Sequence, residues 1–149
     1  DSLPAALMSL VTKGNYNVAG GEFFLGIDQT PGSNLFFSVR NTADSAITDV
    51  SVAAPSTATW YGIRAWHDPI ANQIGLQYGV GSKGTGSTTG GVLDGTNAFQ
   101  IGAAAGANRP YNGREALVAA WKRVLPDQEW AWLYLIGSAR LLPPLRMAA

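Results

Sequence analysis

The sequence predicts an all-β fold, an antiparallel β-sandwich with one short C-terminal helix. Gly, Thr, Ser and Asn are abundant, and short β-prone runs recur along the chain between turn-forming residues. The 149 residues suffice for one domain with a substantial apolar core. We therefore expect a single domain that spans residues 1–149.

The first half of the chain predicts six strands. Each run is rich in apolar, aromatic or β-branched residues and is bounded by Gly, Pro, Asn or Asp. The clearest alternation lies at 34–40, where Leu35, Phe37 and Val39 share one face of the strand. The predicted strands are 7–13, 22–28, 34–40, 47–53, 59–67 and 73–78.

The second half of the chain is less regular. Residues 79–91 are almost all Gly, Ser and Thr and predict a surface loop, and two further strands fit at 99–102 and 114–121. A helix is predicted at 127–135, because a proline and acidic residues precede or begin it and a glycine follows it. The tail at 141–149 contains two adjacent prolines and is expected to be extended.

The chain carries unusually little charge. Charged residues make up 13% of it, about half the usual quarter, and ten basic residues balance ten acidic ones. We therefore expect other subunits to cover part of its surface. A neutral chain without a basic block gives no reason to expect a nucleic-acid partner, and no apolar run reaches the roughly 18 residues of a membrane span.

Both ends of the chain are apolar, which predicts self-association. An exposed sheet edge accepts an extended segment as an added strand, so apolar ends favour strand exchange between subunits. The candidate assembly residues are Leu3, Leu7, Leu141, Leu142 and Leu145.

A candidate binding surface lies on the strand predicted at 59–67. Alternation places Trp60, Arg64 and Trp66 on one face, with Gly62 leaving space beside them. Flat aromatic rings next to a hydrogen-bonding side chain form a common sugar platform, because sugar C–H faces lie on the rings. The alternative is a Trp–Arg–Trp cation–π ladder that only covers the sheet or meets a neighbouring subunit.

Calcium is the one cofactor that the residues suggest. Asp68, Asn72 and Asp94 lie in predicted loops and carry the oxygen ligands that calcium prefers. The alternative is that these side chains form turns, since the spacing is not that of an EF-hand.

Catalysis is not expected. Cysteine is absent, and the single histidine, His67, is adjacent to Asp68, which points the opposite way on a strand. Glu22 and Asp28 are the only regular acidic pair, and six residues of strand separate them by roughly 20 Å, too far for glycoside hydrolysis.

Six short segments follow one another in a characteristic order. They are Leu-Val-Thr-Lys-Gly at 10–14, Gly-Glu-Phe-Phe-Leu-Gly at 21–26, Thr-Trp-Tyr-Gly-Ile at 59–63, Phe-Gln-Ile-Gly at 99–102, Tyr-Asn-Gly-Arg at 111–114 and Trp-Lys-Arg-Val-Leu at 121–125. In this order they resemble the laminin G-like domains of the concanavalin A-like jelly-roll type. The resemblance implies a non-catalytic jelly roll outside the cell, on a cell surface or on a virion. It also implies that glycan or calcium binding is compatible with the fold.

The chain departs from this family in two places. The family has one more strand before the one at 7–13, and only residues 1–6 are available for it, so we expect a neighbouring subunit to supply that strand. The acidic pair that the family carries after Gly-Arg is out of register at 113–118, so no role that rests on it is transferred. The predicted function is a self-assembling structural module, and the alternative is a glycan-binding adhesion domain.

Overall fold

The computed structural model describes residues 7–28, 34–81, 83–88, 90–105 and 109–141, the last four of them by their backbone alone. Within these residues the chain forms eight strands and one helix. They are β1 (Met8–Lys13), β2 (Phe23–Asp28), β3 (Asn34–Arg40), β4 (Ile47–Ala53), β5 (Ile63–Asp68), β6 (Gln73–Tyr78), β7 (Lys83–Ser87), β8 (Phe99–Ile101) and α1 (Asp127–Leu141).

The strands form two antiparallel sheets. One sheet has five strands in the order β4-β3-β2-β1-β8, and the other has three in the order β5-β6-β7. The predicted all-β sandwich with a C-terminal helix is therefore confirmed. The described part of the chain contains no helix that is long and apolar enough to cross a bilayer.

The main core lies between the two sheets. Alternate residues of β3 point into it, so Leu35, Phe37 and Val39 are buried there, as the sequence pattern predicts. From the smaller sheet, Ile74 and Leu76 of β6 are fully buried in the same cluster. These apolar faces hold the two sheets together, because burying them removes a large apolar area from water.

The outer face of the five-stranded sheet has an aromatic cluster of its own. Phe24 and Phe36 stack with their ring centroids 5.4 Å apart, and the Tyr16 ring packs against both. Ala104 closes the cluster and is fully buried, and Leu7 packs at its margin.

Helix α1 covers the outer face of the three-stranded sheet. The Trp130 indole nitrogen donates a hydrogen bond to the carbonyl of Gly79 at 2.7 Å, which ties the helix to the end of β6. Tyr134 lies against Gly62, where a Cβ would come within 2.6 Å of its ring. The molecule therefore has a third layer on this side, formed by a helix that begins with Asp127 and Glu129 at its positive end.

The structure corrects four of the predicted boundaries. The fifth strand was predicted to begin at Thr59, which is wrong, since β5 begins at Ile63. The predicted loop at 79–91 contains strand β7, and the predicted strand at 114–121 has no strand structure. The helix continues past residue 135 to Leu141, so residue 141 is helical and not extended, and the rest of the predicted tail at 142–149 lies outside the described residues.

Strand β1 has backbone partners on both sides. Strand β8 pairs with Val11–Lys13 of β1, and beyond it the Gly102 amide donates to the Leu10 carbonyl. Further along, the Ser9 amide donates to the Arg109 carbonyl. Among the described strands, the sides without a strand partner are instead the outer sides of β4 and β8 in the larger sheet and of β5 and β7 in the smaller one.

Candidate functional site

The predicted surface on β5 is only partly formed. Arg64 and Trp66 share the face of β5 that turns away from the core, while Ile63 and Ala65 pack against the core. Trp60 precedes the strand and is 39% exposed, so the predicted set of three on one strand face is wrong for this residue.

Trp130 of α1 lies where a second indole was expected. The Arg64 guanidinium carbon is 4.9 Å from the centroid of Trp66 and 5.5 Å from that of Trp130. Arg64 therefore lies between two indoles, one from the sheet and one from the helix, in the geometry of a cation–π pair. The geometry is that of the predicted cation–π ladder, with Trp130 in the place of Trp60.

Arg64 is 8% exposed and is held by three hydrogen bonds. Its Nε donates to the Gln77 side-chain oxygen at 2.8 Å, and its Nη1 donates to the Leu125 carbonyl at 2.9 Å. Its Nη2 donates to a carboxylate oxygen of Asp127 at the start of α1. A buried guanidinium requires such partners, because an unpaired one would lose its hydration without replacement.

Asp127 is shared between two cations. Lys83 of β7 approaches its two carboxylate oxygens at 3.1 and 3.2 Å, and the same ammonium lies 5.3 Å from the Trp66 centroid. The hydrogen bond from Arg64, followed by that from Lys83, lowers the pKa of Asp127 below its ordinary value. Two positive groups against one carboxylate leave the cluster with an excess positive charge.

Two glycines make room for the aromatic side chains of the site. Gly75 of β6 is the partner of Trp66 across the sheet, and a Cβ there would come 1.9 Å from the indole ring. At Gly62 a Cβ would come 3.3 Å from Trp130 as well as meeting Tyr134. The space beside the indoles that the sequence predicts at Gly62 exists, and the helix fills it.

A partly open cavity remains between the sheet and the first turn of α1. Its volume is about 240 Å³. Its walls combine the buried side chains of Arg64 and Gln77 and the exposed carboxylate of Asp127 with apolar surface from Val80, Trp130 and Ala131. The alternation of β5 in the sequence identifies Arg64 as a candidate. Its neighbours reach it through the pairing of the sheet and the docking of the helix, which no local sequence pattern encodes; they are Gln77, Lys83, Asp127 and Trp130.

The three calcium candidates lie in two separate places, with Asp68 and Asn72 at the turn between β5 and β6 and Asp94 in another loop. One carboxylate oxygen of Asp68 accepts the amides of Ile70 and Ala71 at 2.9 and 3.0 Å in the turn between β5 and β6. Asn72 lies in the same turn with a φ of 50°, a backbone conformation that Asn tolerates. Asp94 belongs to another loop, where its carboxylate is 3.7 Å from the Lys13 ammonium. No group of three or more His, Cys, Asp or Glu side chains suited to a metal occurs in the part of the chain that the structure describes.

Glu22, the first acidic residue weighed for catalysis, is 5% exposed and fixes a loop. It forms an ion pair with Lys13 at 2.8 Å and accepts the Gly95 amide at 2.8 Å. The ion pair raises the pKa of Lys13, chiefly through the hydrogen bond to Glu22. These contacts give Glu22 a structural task, and the expectation that the chain is not an enzyme stays a prediction.

Most of the candidate assembly residues lie at the ends of the described ranges or outside them. Leu7 is partly buried against the outer aromatic cluster, and Leu141 is the last residue of α1. Leu3, Leu142 and Leu145 lie outside the described residues.

The predicted site residues do not include the exposed apolar side chains of the C-terminal part that the structure describes. Leu117 and Trp132 are 65% and 62% exposed, and Val118 and Trp121 are also exposed. Their signal in the sequence is an apolar run without charge at 116–121 and an apolar helix face opposite the buried one.

Comparison of the chain with models of protein families, with curated proteins and with solved structures finds no match.

Proposed function

We propose that this chain is a non-catalytic structural module of the laminin G-like, concanavalin A-like jelly-roll type that associates with copies of itself in an extracellular, cell-surface or virion assembly. The observation that carries the proposal is the exposed apolar surface of the C-terminal part. We call it the C-terminal apolar surface and define it by Leu117, Val118, Trp121 and Trp132.

This surface is unusual for a protein that stays alone in water. Leu117 and Val118 belong to a run of six residues at 116–121 that contains no charge, and Trp121 ends that run. The Leu117 side chain reaches within 4.0 Å of where a Cβ on Gly137 would lie, so Leu117 lies beside α1. Exposed apolar groups that lie together mark interaction sites, and fully burying each large side chain contributes about 1.5–3 kcal/mol.

The backbone of the same region favours association. Residues 114–121 have a strand-prone composition but no strand partner within the described part of the chain. Strand β8 presents an edge with Phe99 and Ile101 about half exposed. A second copy offers the missing partner for such an edge, because an unpaired strand edge accepts an extended segment. The low overall charge supports the proposal, since little repulsion opposes the approach of two copies.

Sedimentation velocity across a wide concentration range tests the proposal. We expect the native chain to form oligomers or polymers, and we expect Trp121→Glu and Trp132→Glu to dissociate them by burying a charge in the interface. Ile70→Glu is the matched control, because Ile70 is 93% exposed in the turn between β5 and β6, away from the C-terminal apolar surface. A native chain that remains monomeric at the highest concentration contradicts the proposal, and so does association that both tryptophan variants leave intact.

Glycan binding is the second candidate function, and one observation favours it. The cavity of about 240 Å³ between the sheet and α1 sets the Trp130 indole beside the buried polar groups of Arg64 and Gln77. An aromatic ring next to hydrogen-bonding groups suits a sugar ring. A glycan array tests this function, with Ala131→Leu, which fills the cavity, expected to lose binding while circular dichroism shows that it stays folded. Array binding that Ala131→Leu retains, or no binding by the native chain, contradicts it.

A further inference from the structure

The connection between β8 and α1 contains an asparagine that is followed directly by a glycine, Asn112 and Gly113. It is the single Asn-Gly pair in the sequence. Both residues are exposed and lie outside helix and strand, with a bend at Gly113. In such a pair the backbone nitrogen of the glycine can attack the side-chain amide carbon of the asparagine, because no side chain on the glycine stands in the way.

Neither reacting group of this pair is held by a hydrogen bond. The backbone amide of Asn112 donates to the Met8 sulfur at 3.3 Å, which ties the residue to β1 by its backbone. Within the described residues, the Asn112 side chain and the Gly113 amide have no hydrogen-bond partner. The side chain and the peptide that follows it are therefore free to turn towards each other while the chain before them stays in place.

A second pair of related chemistry is held by the fold. Asp94 precedes Gly95, and its side chain is 100% exposed. The Gly95 amide, however, donates to a carboxylate oxygen of Glu22 at 2.8 Å. This nitrogen has to break a charge-assisted hydrogen bond before it reaches the neighbouring side chain. Gly113 has no such bond to break, so the fold leaves only one of these two pairs ready to react.

We propose that Asn112 is a self-modification site, at which the chain converts the asparagine into isoaspartate. The Gly113 nitrogen forms a bond to Cγ of Asn112 and gives up its proton, and the bond from Cγ to Nδ2 breaks with the release of ammonia. Water then opens the resulting cyclic imide. Opening at the backbone carbonyl yields isoaspartate, and opening at Cγ yields aspartate. Water is consumed and ammonia is released, and no oxidant or reductant takes part.

The product differs from asparagine in charge and in backbone length. It adds one carboxylate to the ten acidic residues of a chain without net charge, and isoaspartate places an additional carbon in the backbone. The residues before the site are anchored, since the Tyr111 amide donates to the Gly102 carbonyl at 2.8 Å and that of Asn112 to Met8. The displacement is therefore directed to the segment at 114–121, which pairs with no strand in the described part of the chain.

Incubation of the full chain in isotopically labelled water at neutral pH, followed by peptide mapping, tests the proposal. We expect the peptide that contains position 112 to take up labelled oxygen and to separate into isoaspartate and aspartate forms, which electron-transfer fragmentation distinguishes. Asn112→Gln is expected to abolish the uptake, because its longer side chain closes a larger and less favoured ring. Gly113→Ala is unsuitable as a test, since a Cβ there would come 2.5 Å from the Tyr111 ring.

Asp94→Asn supplies the matched comparison, because it places a second asparagine before a glycine whose amide is held by Glu22. We expect position 94 to react at least about tenfold more slowly than position 112, since the hydrogen bond to a charged group has to break first. In urea that unfolds the chain this bond is lost, and we expect the two rates to approach each other.

Three results overturn the proposal. A folded native chain that takes up no label at position 112 removes the site. Uptake without any isoaspartate shows direct hydrolysis of the side chain and removes the ring closure. Equal rates at positions 94 and 112 in the folded variant, or a difference between them that persists in urea, show that the free amide of Gly113 does not select the site.

Discussion

The Trp66 indole lies across Gly75, its partner on the neighbouring strand, so closely that a Cβ on Gly75 would come 1.9 Å from a ring carbon. The flat position of this ring lets the Arg64 guanidinium lie over it at 4.9 Å and the Lys83 ammonium at 5.3 Å. A single glycine in the middle of a strand therefore sets the geometry of the whole cluster beneath α1.

Gly75→Ala is expected to destabilise the fold by about 1–3 kcal/mol, because the added methyl group forces the ring out of its position. Urea unfolding measures the change, and tryptophan fluorescence reports whether the Trp66 environment alters. Gly81→Ala is the matched control, since nothing lies within 4 Å of a Cβ there. The relationship between Trp66 and Gly75 is refuted if the two variants unfold at the same urea concentration.

The core between the sheets gives a second prediction. Leu35 of β3 is 0% exposed and belongs to the main cluster, so Leu35→Ala leaves a cavity and is expected to cost about 2–5 kcal/mol. Ile70→Ala removes a similar side chain that is 93% exposed and is expected to change stability by less than about 0.5 kcal/mol. Thermal or urea unfolding compares the two. A Leu35 variant as stable as the Ile70 variant shows that the sheets do not pack at this position.

The ion pairs of Asp127 give a third prediction, a dependence of stability on pH. Its pKa in the folded chain is lowered, first by the hydrogen bond from Arg64 and then by that from Lys83. The stabilisation is therefore present above the ordinary carboxyl pKa of about 4 and is lost as the pH falls through the lower pKa of the folded state.

Asp127→Asn is expected to be less stable than the native chain at neutral pH, and the difference is expected to shrink below about pH 4. Urea unfolding at a series of pH values measures it. Asp94→Asn is the control, because the Asp94 side chain is 100% exposed. Its charged neighbour among the described residues is Lys13, whose ammonium lies 3.7 Å from the carboxylate. A difference between the native chain and Asp127→Asn that is constant with pH argues against the ion pairs as its cause.

The strands that alternate cleanly could be predicted from sequence, and those whose residues serve close packing could not. Leu35, Phe37 and Val39 alternate in sequence and lie in the core as predicted. The glycines of β7 look like loop residues, yet a Cβ on Gly84 would come 3.0 Å from Val50 on the facing sheet. There the absence of side chains lets two sheets approach, and a single sequence does not distinguish this use of glycine from a turn.

The segment at 114–121 shows the opposite error. Its β-prone residues predict a strand, but a strand needs a partner, and this segment pairs with no strand in the described part of the chain. Leu117 there has a φ of 56°, which interrupts an extended backbone. The candidate site could likewise be predicted only in part. The shared face of Arg64 and Trp66 follows from alternation within one strand. Asp127 and Trp130 reach them only through the docking of a helix some sixty residues later in the chain.

Glu115 gives a last prediction, with the opposite sign to that of Asp127. One of its carboxylate oxygens is buried and has no hydrogen-bond partner in the described part of the chain, and burial raises its pKa to about 7. The folded state therefore favours the protonated acid. In the unfolded chain the carboxyl ionises at a pKa of about 4.3, so between about pH 4 and pH 7 the folded state holds more protons and stability falls as the pH rises.

Glu115→Gln removes this loss, and we expect it to become progressively more stable than the native chain from about pH 4.5 to about pH 8. Glu129→Gln is the control, because Arg123 lowers the pKa of Glu129. The stability that this variant lacks is therefore already fully present in the native chain above a pH of about 4.5, and the difference between the two is expected to stay constant up to about pH 8. Urea midpoints measured across this range decide the matter, because a native chain and Glu115→Gln that keep the same difference at every pH would show that Glu115 is solvated in the folded protein.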